Sequence, residues 1–401
     1  MKVLVADKFE AAGLEGLAAL GCEVLYEPKL EGESLGHRLS EARPEVLVVR
    51  STKVTAAEIE RAASLALIVR AGAGVNTIDL TAASSRAIAV SNCPGKNSVA
   101  VAELAWGLIL ALDRRIPEQA RDLAAGVWNK AEYAKAKGIA FRRLGVVGVG
   151  AIGTEVIHRA KSFGMEVLAW SRSLDNYAAA RLGVTRCASL LDLARESDIV
   201  SVHLALTKET KGLLGPEFFG AMRDGAFFVN TSRGEVVQQA ALEAAIEKRG
   251  IRAGLDVFEK EPSGGTGVFE DPIAKKPGVV GTHHVGASTE QAQNAIAAET
   301  VRIVEAFMIS GEVPNAVNFS DRTPATHLLS IRHRDRVGVL AHIFAVLKEA
   351  GINVEETENV VFAGAEAACA RIQLDRAPEA DVLSRIETGS PDVFSVTLTP
   401  I

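Results

Sequence analysis

The sequence predicts an α/β chain of two doubly wound parallel-sheet domains followed by a small βαββαβ unit. Short apolar runs alternate with helical patterns through residues 1–97, and the same alternation resumes after residue 142. Such alternation is typical of parallel sheets covered by helices on both faces. A chain of 401 residues is also too long for one hydrophobic core and fits two or three domains.

The first sheet is predicted from five apolar runs, each bounded by Gly, Pro, Asn or Asp. These runs are residues 3–6, 23–26, 46–49, 67–69 and 87–90. A long apolar helix is expected from about residue 98 to about residue 120, with Asn97 or Ser98 as its N-terminal cap.

The second sheet is predicted to begin with the apolar run that ends at Val147. Further strands are expected at residues 166–170, 199–204, 226–230, 254–257 and 279–281. A helix over residues 289–310 is long enough to return and close the first domain. We therefore predict one domain from residues 1–97 with 283–312 and a second from residues 98–282.

The C-terminal unit follows a segment, residues 311–325, whose Pro, Asn and Gly without periodicity predict a linker. We predict a unit over residues 326–401 with the βαββαβ order. Its strands are expected at residues 328–332, 354–358, 366–374 and 393–399, and its helices at 337–350 and 379–388.

Composition excludes several classes of protein. A formal net charge of −6 disfavours a nucleic-acid binder. The four cysteines lie far apart with no pair at metal-ligand spacing, so neither a disulfide scaffold nor a metal site is expected. Because no signal-peptide pattern and no membrane-spanning apolar stretch is present, we expect a cytoplasmic protein that does not bind membranes.

The segment Gly148-x-Gly150-x-x-Gly153 matches the dinucleotide-binding turn. The first glycine permits the tight turn, the second lets the backbone approach a pyrophosphate, and the third lets the helix pack close to the strand. The amino end of that helix, at Ala151 and Ile152, offers N–H groups and a positive dipole end to the phosphates.

The residues that would meet the adenosine ribose are Ser171 and Arg172. An acidic residue usually stands there and hydrogen-bonds the ribose of NAD. Serine and arginine would accept a 2′-phosphate, which favours NADP or dual use. If Arg172 points to solvent, Ser171 still serves NAD, so the cofactor is NAD or NADP.

Three segments that follow predicted strands of the second domain carry Arg233, Glu261 and His284. Ligands of doubly wound sheets bind at the carboxyl ends of the strands. An arginine can hold a carboxylate, a histidine can take the proton of a hydroxyl, and a glutamate can orient the histidine. Together these residues suit the oxidation of a 2-hydroxy acid, although each alone has a structural explanation.

At this point the chain resembles the D-isomer-specific 2-hydroxyacid dehydrogenases, and among them the phosphoglycerate dehydrogenases. The motifs that carry the resemblance are VVRSTKVT (48–55), VRAGAGVNTIDL (69–80), NSVAVAEL (97–104), GVGAIGTEV (148–156), NTSRGE (230–235), LDVFEKEP (255–262) and HHVGAS (283–288). The resemblance implies a flavodoxin-like substrate domain and a Rossmann cofactor domain.

The resemblance also implies roles for individual residues. It makes Arg233 the substrate anchor, Glu261 the acid that pairs with the base, His284 the general base, and Asp256 the partner of the nicotinamide amide. His284 is preferred to His283 because His283 replaces a proline that is usual in the family. The remaining cofactor contacts that it implies are Thr207, Thr231 and Gly286.

A phosphorylated substrate is indicated by Arg50, Lys53 and Arg70, which follow strands of the first domain. An arginine fork suits a phosphate, and the segments resemble those that hold phosphate in phosphoglycerate dehydrogenases; a solvent-exposed basic rim is the alternative. The other predicted substrate-binding residues are Ser51, Gly72, Gly74 and Asn97. Asn76 stands where the family commonly has aspartate.

The C-terminal unit resembles an ACT domain around residues 333–340 and 351–354. The resemblance implies an amino-acid effector such as serine, with His333, Asp335 and Asn353 at the matching positions. Asp335 and Val337 depart from the usual Asn and Pro, and a purely oligomerising module is the alternative. A homodimer or homotetramer is expected.

The function implied is oxidation of 3-phospho-D-glycerate to 3-phosphohydroxypyruvate, the first step of phosphorylated L-serine biosynthesis. One alternative is an NADPH-dependent reductase of hydroxypyruvate or glyoxylate. A second alternative, of a different class, is a non-catalytic dinucleotide-sensing protein.

Overall fold

The computed structural model describes residues 1–262, 266–320 and 322–401. The chain forms two compact units, Met1–Asn318 and Phe319–Ile401. Residues 263–265 of the predicted second domain, and Asp321 of the predicted linker, lie outside the described residues.

The first sheet has five parallel strands in the order β2-β1-β3-β4-β5. Its strands are β1 (Lys2–Val5), β2 (Glu23–Tyr26), β3 (Val46–Val49), β4 (Leu67–Arg70) and β5 (Ala89–Asn92), and its first helices are α1 (Ala11–Ala19), α2 (Gly32–Ala42), α3 (Ala56–Arg61) and α4 (Leu80–Ser85). Alternate residues of β1 and β3 enter different apolar clusters, one on each face of the sheet. The strands are therefore apolar throughout, as expected for a parallel sheet buried on both faces.

The second sheet has seven parallel strands in the order β12-β11-β10-β9-β6-β7-β8. Its strands are β6 (Arg143–Val147), β7 (Glu166–Trp170), β8 (Thr185–Arg186), β9 (Ile199–Val202), β10 (Phe227–Asn230), β11 (Arg252–Leu255) and β12 (Val279–Gly281). Its helices are α5 (Ser98–Arg114), α6 (Ile116–Ala124), α7 (Lys130–Tyr133), α8 (Ala151–Ser162), α9 (Asn176–Leu182), α10 (Leu190–Glu196), α11 (Pro216–Ala221) and α12 (Gln239–Arg249). The strand order reverses at β6, which lies between β7 and β9, and this reversal opens the crevice where such sheets bind ligands.

The predicted helix over residues 98–120 is wrong as a single element. It ends at Arg114, Arg115 adopts a left-handed conformation with φ 52°, and a second helix begins at Ile116. Pro117 explains the break, because its ring would clash with the carbonyl of Asp113 in a continuous helix. The two-residue strand β8 was not predicted, since it is too short to show periodicity.

Helix α13 (Glu290–Ser310) returns to the first sheet. Thr289 caps it by accepting a hydrogen bond from the N–H of Ala292 at 3.2 Å. Its residues Ile296, Ile303 and Val304 join the apolar cluster on one face of the first sheet, and the helix packs against α1.

The C-terminal unit is a four-stranded antiparallel sheet in the order β14-β15-β13-β16, with two helices packed against it. Its elements are β13 (His327–Arg334), α14 (Val339–Glu349), β14 (Val354–Val361), β15 (Ala367–Leu374), α15 (Ala380–Thr388) and β16 (Val393–Pro400). The predicted α/β class, with two parallel sheets and a C-terminal βαββαβ unit, is confirmed. No helix in the described part of the chain is long and apolar enough to cross a membrane.

Candidate functional site

The central pair of the candidate site is His284 and Glu261. His284 follows β12, and its Nδ1 lies 2.6 Å from Oε2 of Glu261. The other oxygen of Glu261 accepts a hydrogen bond from the N–H of Phe258 at 2.9 Å. The carboxylate is thereby fixed at two points, and it holds the imidazole with Nε2 directed away from it.

Asp256 anchors the loop that carries His284. Its Oδ1 accepts hydrogen bonds from the hydroxyl of Thr282 at 2.6 Å and from the N–H of Val285 at 2.9 Å, and its Oδ2 accepts one from the N–H of Gly286 at 2.9 Å. The side chain is 1% exposed. His284 itself has φ 53°, and its N–H donates to the carbonyl of Asp256. The carboxylate and the backbone carbonyl of one buried residue, Asp256, therefore hold the loop in this conformation.

Arg233 reaches from the end of β10 toward the first sheet. Its Nη1 donates to the carbonyl of Ser232 at 2.6 Å, and its Nη2 lies 3.4 Å from Oδ1 of Asn76. Buried Asn230 shapes the turn, because its Oδ1 accepts from the N–H and hydroxyl of Ser232 while its Nδ2 donates to the carbonyl of Arg233.

The Arg233 turn and the Glu261 segment meet at Gly234. A Cβ on Gly234 would lie 2.2 Å from the carbonyl carbon of Phe258, so only glycine permits this approach. Burial alone would raise the pKa of Glu261, but the hydrogen bonds from His284 and Phe258, with the positive charges of His284 and Arg233, lower it below its usual value. The structure thus brings the three predicted catalytic residues together.

The first sheet contributes Arg50, Ser51 and Arg70 to the other side of the site. Asp7, directly after β1, accepts hydrogen bonds from the backbone N–H groups of residues 50, 51 and 52 at 2.6–3.0 Å. Burial, followed by the charges of Arg233 and Arg50, lowers the pKa of Arg70 to about 10. Lys53, three residues after Arg50 in the chain, is exposed. The cluster is electropositive, as an anion site requires.

Two predicted glycines leave room for these guanidinium groups. A Cβ on Gly72 would lie 1.7 Å from Nη1 of Arg70, and a Cβ on Gly74 would lie 2.4 Å from Nη2 of Arg233. Asn97, at the start of α5, has a buried Oδ1 without a partner in the described part of the chain. Such an atom is costly unless a ligand or water satisfies it.

The glycine turn after β6 has the geometry of a phosphate cradle. Gly148 has φ 94°, and a Cβ there would lie 2.5 Å from the carbonyl oxygen of His203, whereas a Cβ on Gly153 would lie 2.1 Å from the carbonyl oxygen of Gly148. Gly150 caps α8, and no atom lies within 4 Å of the position that a Cβ would take there. The first N–H groups of α8, at Ala151, Ile152 and Gly153, have no acceptor within the helix.

The remaining predicted cofactor residues line the same strand ends. The hydroxyl of Thr231 is buried and has no partner among the described residues, while Thr207 hydrogen-bonds Glu209 at 2.6 Å. Ser171 is half-buried and Arg172 is exposed, directly after β7. The turn, the helix terminus and the orphaned Thr231 hydroxyl fit a dinucleotide.

The predicted effector residues do not meet within one chain. His333 is 1% exposed, and its two ring nitrogens face the carbonyl of Arg334 and Oδ1 of Asn359. His333 pairs with Ala368 on β15, whereas Asn353 directly precedes Val354, which pairs with Leu374 on the same strand. The six residue steps along β15 from Ala368 to Leu374 span about 20 Å. Exposed Asp335 lies beside His333, and Asn353 lies at the opposite end of the sheet.

Sequence reasoning missed Asp7 and Thr282, and it noted Asn76 without giving it a role. Asp7 directly follows a predicted strand, so the rule that identified the other site residues would have found it. Asn76 contacts Arg233, and Thr282 contacts Asp256. Nothing in the sequence next to Asn76 or Thr282 indicates these contacts. Among the described residues, no group of three His, Cys, Asp or Glu side chains could hold a metal ion.

A family model described as D-isomer specific 2-hydroxyacid dehydrogenase, NAD binding domain, matches residues 106–286. The D-3-phosphoglycerate dehydrogenase of Methanocaldococcus jannaschii is 38% identical over 325 residues, which cover 79% of this chain and 60% of that protein. The hydroxypyruvate reductase of Thermotoga maritima is 39% identical over 259 residues, which cover 64% of this chain and 82% of that protein.

The crystal structure of a protein from Thermus thermophilus has a TM-score of 0.70 and 33% sequence identity, and the match covers 79% of this chain and 100% of that chain. This chain spans about 60% of the length of the curated D-3-phosphoglycerate dehydrogenase from Methanocaldococcus jannaschii.

Proposed function

This chain belongs to the D-isomer specific 2-hydroxyacid dehydrogenase family, and we propose that it oxidises 3-phospho-D-glycerate to 3-phosphohydroxypyruvate with NAD or NADP. This reaction is the first step of phosphorylated L-serine biosynthesis. The observation that carries the proposal is the 2.6 Å contact between His284 and Glu261, placed beside Arg233 at the strand ends. The 38% identity to a D-3-phosphoglycerate dehydrogenase supports the choice of substrate.

His284 acts as the general base. Its Nδ1 is held by Glu261, so Nε2 takes the proton of the substrate hydroxyl as the C–H bond breaks. Glu261 stabilises the imidazolium that forms, because its lowered pKa keeps it charged at neutral pH. Arg233 binds the substrate carboxylate and polarises the forming carbonyl.

Gly148, Gly150 and the amino end of α8 would hold the pyrophosphate of the dinucleotide, and Thr231 would contact it further along the strand ends. When bound, the dinucleotide supplies the acceptor for the hydride that leaves the substrate carbon. In this proposal Ser171 and Arg172 accept either an adenosine ribose or its 2′-phosphate, so both NAD and NADP are substrates to test.

Arg50, Lys53 and Arg70 hold the phosphate of the substrate. Two guanidinium groups offer planar forks to phosphate oxygens, and burial of Arg70 strengthens its interaction with an anion. Ser51, Gly72, Gly74 and Asn97 complete this side of the site.

The test is a rate measurement with 3-phosphoglycerate and each dinucleotide, with the product removed by hydrazine. Reduced dinucleotide should form at 340 nm with one or both cofactors. If neither cofactor is reduced while reference 2-hydroxy acids are oxidised, the substrate assignment falls.

A reductase of unphosphorylated 2-keto acids is the second candidate. It is favoured by the 39% identity to a hydroxypyruvate reductase. It is also favoured by Ser171 and Arg172, which stand where NAD-specific enzymes usually have an acidic residue and which would suit NADPH. Comparing kcat/KM for phosphohydroxypyruvate and hydroxypyruvate separates the two: preference for the unphosphorylated acid would support the reductase. A non-catalytic dinucleotide sensor would turn over neither acid while binding the cofactor.

For the rest of the chain we propose the division into residues 1–97 with 283–312, 98–282 and 326–401. The last of these acts as an ACT-type regulatory unit in a cytoplasmic homodimer or homotetramer. Because His333 and Asn353 lie at opposite ends of one sheet, an effector such as serine would need residues from two copies. Rate measurements with and without serine, and the mass in solution, test these points.

A further inference from the structure

The side chain of Asn92, the last residue of β5, holds the loop that follows β4. Its Nδ2 donates a hydrogen bond to the carbonyl of Ala73 at 2.5 Å, and the N–H of the next residue, Cys93, donates to the carbonyl of Gly72 at 2.9 Å. Asn92 is itself held, because Nδ2 of Asn315 donates to its backbone carbonyl at 3.3 Å. Two consecutive carbonyls of the loop are therefore turned toward the end of β5.

The direction of these carbonyls fixes the direction of the N–H groups beside them. A trans peptide unit is planar, so its N–H points opposite to its C=O, and no cis peptide bond occurs among the described residues. The N–H groups of Ala73 and Gly74 therefore point away from β5. Neither of them donates to an acceptor in the described part of the chain. The loop thus offers two backbone donors to a ligand.

Gly74 lies directly beside the guanidinium of Arg233. A Cβ on Gly74 would stand 2.4 Å from Nη2 of Arg233, which places the backbone of residue 74 next to the proposed carboxylate anchor. An ionised carboxylate has two oxygens with about four lone-pair sites, and an arginine fork occupies about two of them. The N–H of Gly74 can therefore bind an oxygen of a carboxylate that Arg233 holds.

We infer that Asn92 is a positioning residue for the proposed reaction: its bond to the carbonyl of Ala73 keeps the N–H of Gly74 facing the substrate carboxylate held by Arg233. Without this bond the peptide between Ala73 and Gly74 is free to rotate, and its carbonyl oxygen then opposes the anionic substrate. The contact is made to a group that the substrate and the transition state share, so its loss raises KM more than it lowers kcat. The inference deepens the proposed function and rests on it.

The experiment compares Asn92→Ala and Asn92→Asp with wild type in the reduction of phosphohydroxypyruvate and of hydroxypyruvate. We expect the KM for each keto acid to rise about tenfold in Asn92→Ala, as for a lost hydrogen bond to a charged group, with kcat within about threefold of wild type. The ratio of the two KM values in this variant should stay unchanged, because both acids carry the same carboxylate. Asn92→Asp keeps the size of the side chain but sets an oxygen against the carbonyl of Ala73, so the rise in KM should be at least as large.

Asn318→Ala is the matched control. Asn318 makes the same kind of contact at the other end of β5, where its Nδ2 donates to the carbonyl of Ile88 at 2.9 Å and its Oδ1 accepts from the N–H of Val90 at 2.8 Å. Asn318→Ala should lower the thermal midpoint at least as much as Asn92→Ala, because more hydrogen bonds are lost. Both KM values should stay at the wild-type level, since these contacts lie away from the strand ends that carry the site.

A calorimetric titration of oxalate into protein loaded with reduced dinucleotide measures carboxylate binding without turnover. Weaker oxalate binding by Asn92→Ala, with wild-type binding by Asn318→Ala, supports the inference even if phosphohydroxypyruvate is not reduced and the proposed substrate falls. If the wild type reduces phosphohydroxypyruvate but Asn92→Ala raises KM no more than Asn318→Ala does, the inference is overturned while the proposed function stands. A fall in kcat with KM and oxalate affinity unchanged, or a rise in KM for only one of the two keto acids, also overturns it.

Discussion

Replacing Asp256 by asparagine tests whether this residue holds the His284 loop or mainly serves the cofactor. Asp256 is 1% exposed and accepts three hydrogen bonds, two at Oδ1 and one at Oδ2. An asparagine can keep the two bonds at Oδ1, but its Nδ2 would face the N–H of Gly286, so two donors would oppose each other.

The cost of Asp256→Asn follows from these bonds. A buried N–H left without an acceptor costs about 1–3 kcal/mol, and the loss of charge assistance in the other two bonds adds about 1 kcal/mol. The sum of about 2–4 kcal/mol corresponds to a fall in the thermal midpoint of about 5–10 °C for a domain of some 200 residues. We also expect kcat to fall, because the loop that aims His284 loosens.

The control for this variant is Asp271→Asn. Asp271 is also buried, but both of its bonds, from Gln239 at 2.8 Å and from the N–H of Ile273 at 3.2 Å, end on the same oxygen. An asparagine retains them, so its midpoint should fall by less than about 2 °C. Thermal unfolding by circular dichroism and dinucleotide titration are measured for both variants. An unchanged midpoint for Asp256→Asn, with weakened dinucleotide binding alone, would refute the loop-anchor reasoning.

Four further variants test other parts of the structure. His284→Ala should lower kcat by at least about 100-fold with dinucleotide affinity retained, as expected for loss of a general base; near-normal turnover would contradict the assignment. Arg233→Lys should lower kcat/KM by at least about tenfold, because a lysine cannot form the planar fork. Steady-state kinetics measure this, with Lys53→Arg as a comparison that also conserves the positive charge. Arg172→Asp should weaken NADP binding more than NAD binding in fluorescence titrations, and equal effects would show that Arg172 points away from the ribose. Glu299, whose pKa is lowered to about 2 from 4.5 chiefly by hydrogen bonds from Arg302, stabilises the fold fully above pH 4.5 and loses that contribution as the pH falls toward 2; the free energy of unfolding of Glu299→Gln should therefore fall less steeply with acid.

Most of the fold could be predicted from the sequence because buried parallel strands are short, apolar and bounded by turn residues. The same pattern failed where tertiary geometry decided the outcome. The helix from Ser98 stops at Arg114 because of Pro117, a signal that was present but that the apolar run obscured. Strand β8 consists of Thr185 and Arg186, which pair with two residues of β7. This pairing depends on tertiary contact, because two residues are too few to show strand periodicity.

The sequence by itself determined which chemical groups stand at the carboxyl ends of the strands. Arg233, Glu261 and His284 follow strands in the chain, and the rule for doubly wound sheets predicts that they gather at one edge. Only the tertiary structure decided what each group touches. It placed Asp256 under the His284 loop, Asn76 against Arg233, and Asn353 at the far end of its sheet from His333. The physical reason is that strand periodicity is a local property, whereas a hydrogen bond between distant segments depends on register, loop conformation and the space that glycines leave.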